Sequence, residues 1–358
     1  MHGRPQNSVY LRLTVTSFVL LFGGSACNTA SIPDTPHFDA HSPSPLDAQP
    51  IDSSPGDACN CSSVSNLAAR IGYIESQRPL PISAALHGQC LDEDLTRIGT
   101  LLGGSYALAP SSAETDFVVS YLGVRLQDLP DINDPNINHS WGASIRSSSP
   151  DTEDMHIRVA CLLDEQADAS EPECARSYQV THEVTYAWIP PSGVVDASAL
   201  CENGLLISGS CTTDFASDSY TRLIRGGMSL TDRNRWQCSW RSHDEEAERP
   251  VAAHAFCLEE QLPEGCECCP PFADAIEVRQ SVQPLVAGTN RLQVSCEPGE
   301  LLLLGNCMLD GADSAELADV TMLRFGFPPS VDNVWGCSWN NPGAVEANGR
   351  ATTLCFGF

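Results

Sequence analysis

The sequence predicts an all-β protein: three tandem antiparallel β-sandwich repeats, stapled by disulfides and preceded by a disordered tether. Three observations predict this class. One cysteine and tryptophan pattern is written twice, as Cys201, Gly204, Cys211, Trp236-Gln-Cys238-Ser-Trp240 and Cys257, then as Cys296, Gly299, Cys307, Trp335-Gly-Cys337-Ser-Trp339 and Cys355. An earlier stretch carries a reduced version, in which Cys90 and Cys161 bracket Gly99-Thr-Leu-Leu-Gly-Gly-Ser-Tyr106 and Trp141-Gly-Ala143-Ser. Between these marks run short segments that alternate apolar and polar residues, the period of a half-buried strand, and no long stretch shows a helical period.

Taken in order, Arg4 and Arg12 precede an apolar run from Leu13 to Phe22, which reads as a signal peptide over residues 1–26, too short to span a membrane as a mature helix. Residues 27–60 are rich in Pro, Ser and Asp and have little to bury, the composition of a disordered tether. Three β repeats follow, over residues 61–165, 174–260 and 268–358. Each opens on a strand: Ile71-Gly-Tyr-Ile, then Tyr178-Gln-Val-Thr-His-Glu-Val-Thr-Tyr, then Ala275-Ile-Glu-Val-Arg-Gln-Ser-Val.

A short apolar segment next ends in Gly104, Gly209 or Gly305, a glycine suited to a bulge or a close backbone approach. After an acidic loop the same strand recurs as Phe117 to Gly123, Tyr220 to Gly226 and Val320 to Gly326. The Trp strand follows, and each repeat closes on an apolar strand ending in Cys161, Cys257 or Cys355. The first repeat is lengthened by an inserted loop over residues 128–139.

Four cysteines allow three pairings, and the first repeat selects one of them. Its two middle cysteines are missing together, replaced by Tyr106 and Ala143, and disulfide partners should disappear jointly. The expected outer pairs are Cys90 with Cys161, Cys201 with Cys257 and Cys296 with Cys355; the inner pairs are Cys211 with Cys238 and Cys307 with Cys337. The inner pairs close loops of about 27 to 30 residues, worth roughly 3 to 4 kcal/mol each on the loop-entropy account. Lacking that staple, the first repeat is expected to be the least stable when isolated. Trp236 and Trp240 share a strand face with Cys238, as Trp335 and Trp339 do with Cys337, so packing against an inner disulfide is the reading preferred over sugar stacking.

Seventeen cysteines in register argue for export to an oxidising compartment. Cys59, Cys61, Cys174, Cys266, Cys268 and Cys269 are read as further disulfides that tie linkers to the repeats, with a thiolate metal site as the alternative. The formal net charge is -27, from 46 acidic residues against 19 basic ones, and every basic residue is Arg. Such a surface repels nucleic acid and anionic lipid heads. Without lysine there is no P-loop, no Schiff base and no kinase-type phosphate lysine.

Gly24-Ser25-Ala26-Cys27 followed by the polar tether resembles a bacterial lipoprotein cleavage site, which implies lipidation of Cys27. Gly24 stands where that pattern has Leu, so ordinary cleavage after Ala26 is the alternative. The segments Cys201-Glu-Asn-Gly204 with Gly209-Ser-Cys211, Cys296-Glu-Pro-Gly299 with Gly305-Asn-Cys307, and Gly103-Gly-Ser-Tyr106 resemble a secreted bacterial β-sandwich repeat with a C-x-x-G, G-G-x-[CY], W-x-C, C pattern. That resemblance implies a surface location and an architecture, not an activity.

No catalytic constellation emerges. His182-Glu183 lacks the second His of a zinc protease helix, since Tyr186 stands there, and no G-x-S-x-G elbow occurs. His87, His139, His156, His182, His243 and His254 fall in the first two repeats only. Acidic loops at Asp310 through Asp319, Asp214 with Asp218, and Asp128 through Asn138 offer oxygen ligands for calcium without the spacing of a calcium loop, so solvated loops are the expectation. The expected function is a non-catalytic cell-surface lipoprotein or secreted protein of structural, adhesive or binding type. It would be held to the outer membrane by a lipid anchor and present a surface for a glycan or protein ligand. The alternative is a carbohydrate-active or other hydrolase using Asp and Glu pairs.

Overall fold

The computed structural model describes residues 70–80, 83–91, 96, 98–108, 117–124, 140–147, 153–163, 176–213, 220–229, 231–264, 271–311, 313–327, 333–343 and 345–357. The signal peptide, the tether, Cys27, the inserted loop, the loop with Asp214 and Asp218, and Cys59, Cys61, Cys174, Cys266, Cys268 and Cys269 lie outside the described residues.

The fold is all-β and antiparallel. The first segment supplies β1 (Ile71–Leu80), β2 (Ser83–Gln89), β3 (Gly99–Leu108), β4 (Phe117–Val124), β5 (Ser140–Ser147) and β6 (Glu153–Leu163). The second supplies β7 (Ser177–Ile189), β8 (Val194–Leu200), β9 (Leu205–Thr213), β10 (Thr221–Met228), β11 (Arg235–Ser242) and β12 (Arg249–Gln261). The third supplies β13 (Ile276–Pro284), β14 (Gly288–Ser295), β15 (Leu301–Asp310), β16 (Thr321–Gly326), β17 (Val334–Asn341) and β18 (Asn348–Phe356).

These strands form three six-stranded sheets, in the orders β1-β6-β3-β16-β17-β14, β13-β18-β15-β10-β11-β8 and β2-β5-β4-β9-β12-β7. Each segment's two three-stranded halves face one another, as in a sandwich. Three sandwiches each closing on itself is nevertheless not what forms, because every half-sheet continues sideways into a neighbouring segment. The third strand of one segment pairs with the fourth strand of another: Tyr106 opposite Phe325, Cys211 opposite Leu122, Cys307 opposite Gly226. The exchange runs in a circle through all three segments.

Close approach at these seams needs small residues. A Cβ built on Gly326 would come within 2.7 Å of Ser105 Oγ, and one on Gly227 within 2.7 Å of Met308 Cγ. Gly326 also has φ 136°, in the region that favours glycine. By strand register the equivalent of Gly123 and Gly326 is Gly227, opposite Gln237, and not Gly226, opposite Cys238. This corrects the sequence alignment by one residue, which on a strand exchanges one face for the other.

Bulges recur at Leu102, Ile207 and Leu303, two residues before the glycines expected to hold them. Gly104, Gly209 and Gly305 serve the other expected purpose: each lets an indole ring, of Trp141, Trp236 or Trp335, lie against the backbone. Just after the bulges the three segments meet, where a Cβ on Gly103 would lie 2.8 Å from Ser208 Cβ and 3.1 Å from Leu304 Cδ1. Trp141, Trp236, Trp240, Trp335 and Trp339 are all at most 1% exposed. None donates a hydrogen bond among the described residues, so packing holds them. Phe325 sits edge-on to both Trp236 and Trp335, joining segments two and three.

Polar contacts also cross between segments. Tyr106, buried where the other segments have a cysteine, donates its hydroxyl to the Met322 carbonyl at 3.2 Å. Arg350 holds Asp310 at 3.0 Å and donates to the Met228 carbonyl at 3.1 Å. The loop after β15 lies over segment two, where Ser314 donates to Asp196 at 2.7 Å and Arg241 faces Asp319 at 3.7 Å.

Candidate functional site

The cysteines expected to pair are brought together. Cys90–Cys161, Cys201–Cys257 and Cys296–Cys355 have Cα separations of 5.8, 5.7 and 5.4 Å, and Cys211–Cys238 and Cys307–Cys337 both 5.6 Å. All ten are buried. Ile145 stands where Trp240 and Trp339 stand in the other segments, and it is fully buried too.

Cys296, Glu300 and Cys355 gather within ligand distance of one another. The two sulfurs are bonded to each other, and Glu300 receives Arg279 at 2.9 Å and the Glu297 N–H at 2.7 Å. No thiolate is left there for a metal ion. The half-buried carboxylates of Glu260 and Asp310 are likewise committed to arginine. Burial raises the Asp310 carboxyl above its usual range and lowers Arg350, so desolvation outweighs attraction for both partners of that pair. Glu260 binds Arg176 and accepts the Phe272 N–H at 2.9 Å, tying segment three's start to β12.

One polar chain lies in segment two, between β7, β12 and β9. His182 Nε2 is 2.9 Å from His254 Nδ1, His254 Nε2 is 2.7 Å from Thr212 Oγ1, and Thr212 Oγ1 is 3.4 Å from the Ala252 carbonyl. A single proton arrangement satisfies every contact: His182 donates to His254, His254 to Thr212, and Thr212 to the carbonyl. His254 therefore gives Thr212 a proton instead of taking one, the reverse of what a nucleophile needs. Both residues are fully buried, which bars a substrate. Burial, then the neighbouring His182, holds His254 well below its ordinary pKa and so neutral. The chain is a satisfied buried network.

The same strand carries a different feature farther along. Val180, His182, Val184, Tyr186 and Trp188 alternate onto one face of β7, an edge strand of its sheet. The first three are half-buried beside Leu258, Phe256 and His254, while Tyr186 and Trp188 remain 57% and 61% exposed beside Ala252 and Pro250. Neither ring makes a hydrogen bond or ring contact among the described residues. Sequence reasoning passed over Trp188. Five of the six tryptophans fall at recurring positions and are buried, and Trp188 is the sixth.

Fold and site together define an all-β, three-sheet protein stapled by buried disulfides, with an exposed aromatic pair on one sheet edge. No protein-family model and no curated protein matches the chain.

Proposed function

We propose that this is a non-catalytic binding or structural protein of the bacterial surface, built from three tandem β repeats. It is exported by its first 26 residues, lipidated at Cys27 and held to the outer membrane by the tether. The observation that carries this reading is the set of five buried disulfides in one body, which suits an oxidising compartment. The chain's acidity supports a role away from nucleic acid and anionic lipid heads. No observation favours the hydrolase alternative, since the half-buried carboxylates named above are each tied to arginine.

Metabolic labelling of the full-length chain with a clickable palmitate analogue tests the anchor, read beside protease shaving of intact cells. Label on the wild type, lost in Cys27→Ser, together with digestion from outside, is the expected result. A chain recovered wholly from the cytoplasm with free thiols would overturn it.

A further inference from the structure

We infer that Tyr186 and Trp188 form a stacking platform for a neutral oligosaccharide, an inference that rests on the surface-binding reading above and gives it a ligand class. The internal repetition acts as a control. By strand register, Gln77 and Pro79 hold these two places in segment one, and Val282 and Pro284 hold them in segment three. The strand therefore forms without aromatic residues, and segment two alone sets two large rings into water. Neither ring supports the core, so fold stability does not account for them.

Their arrangement narrows the ligand. Two residues apart on one face, the two positions lie about 6.6 Å apart along the strand, opposite Ala252 and Pro250. Two aromatic residues in one row on one strand face offer an open row, not the facing walls of a cage for a quaternary ammonium. Nucleobases also stack on such rows, but they come with phosphates, and a chain of net charge -27 without lysine repels a polyanion. A protein partner is disfavoured by size. Two rings of roughly 200 Å² each, just over half exposed, offer far less than the roughly 800 Å² that a stable interface takes from each side. An uncharged sugar chain remains: its C–H faces stack on aromatic rings, its successive rings follow the row, and it has no charge to be repelled.

Trp188 supplies its own readout, because the other five indoles are at most 1% exposed. Acrylamide quenching of the full chain should therefore report Trp188, and the quenchable fraction should vanish in Trp188→Ala. The experiment titrates hexamers of β-1,4-glucose, β-1,4-N-acetylglucosamine, α-1,4-glucose and β-1,4-mannose against quenching, with calorimetry as a second measure. At least one should protect Trp188. Its Kd should rise about tenfold or more in Trp188→Ala and in Tyr186→Ala, the size expected for losing one aromatic anchor. Trp188→Phe should keep most of the affinity, Val286→Ala should change nothing, and thermal melting should be unaltered in all four.

Four outcomes overturn the inference: no protection by any hexamer; binding that survives both alanine variants; loss of binding only in variants that melt early; or protection by phosphatidylcholine vesicles and not by sugars. None of them touches the lipid-label and shaving result, so failure of the platform and failure of the surface reading are distinguishable.

Discussion

Replacing Gly305 by alanine tests how tightly the tryptophans are seated. Gly305 is not in the left-handed region, so on backbone grounds alone alanine should stabilise by about 0.4–1 kcal/mol through the unfolded chain. Contacts reverse the sign. The new Cβ would lie 2.5 Å from Cγ and Cδ2 of Trp335 and 2.5 Å from the Thr352 carbonyl, about 1 Å inside ordinary contact distance. Trp335 cannot swing away, because it is fully buried with Phe325 at 5.3 Å and Phe327 at 5.4 Å. Overpacking of this kind costs about 1–3 kcal/mol, leaving a net loss of about 1 kcal/mol, or about 2 °C in Tm for a unit of this size. Urea unfolding of Gly305→Ala, Trp335→Leu and the double variant measures it. Trp335→Leu is costly through the cavity it leaves, but in that background the alanine should become neutral or stabilising, a coupling of about 1–2 kcal/mol. Additive costs, or an alanine that stabilises the wild type, would refute the seating of the ring on this glycine.

Removing the inner staple as Cys211→Ala/Cys238→Ala should cost about 3.5 kcal/mol for a separation of 27 residues, read as a lower urea midpoint with an intact native spectrum. Because His254 is neutral in the folded protein while its unfolded counterpart takes a proton below 6.5, stability should be full above 6.5 and decline as pH falls through 6.5 toward the depressed folded pKa. Urea titrations from about pH 7 to 5 should show this slope flattened in His254→Gln. Arg350→Met strands Asp310 in a half-buried site and should cost about 3–5 kcal/mol, with Asp310→Leu/Arg350→Met recovering part of it. An Arg350→Met protein as stable as the wild type would show that neither the pairing with Asp310 nor the bond to the Met228 carbonyl of segment two supports the fold.

Much of the fold was legible because its local signals are strong. Alternation marked the strands, and the joint loss of two cysteines at Tyr106 and Ala143 selected the inner pairing. The sharing of sheets was not legible, because each seam is short. Only Leu122 with Cys211, Gly226 with Cys307, and Phe325 and Arg324 with Tyr106 and Ala107 carry the pairing between segments. Alternation says which face of a strand is buried, not which segment provides its neighbour. The adjacent Gly226 and Gly227 hid the register as well, since either fits the pattern and only the pairing with β11 decides between them. The exposed pair on β7 was legible in principle. Trp188 is the tryptophan outside the recurring positions, but attention to the repeat drew the reading toward Trp236 and Trp335, whose burial is structural.

Sheets divided between segments couple the three into one unit, and calorimetry of the full oxidised chain is the most direct measure of that coupling. A single heat-absorption peak whose calorimetric and van't Hoff enthalpies agree is the predicted result. Two or three resolved peaks, with the first segment melting alone ahead of the others, would contradict it.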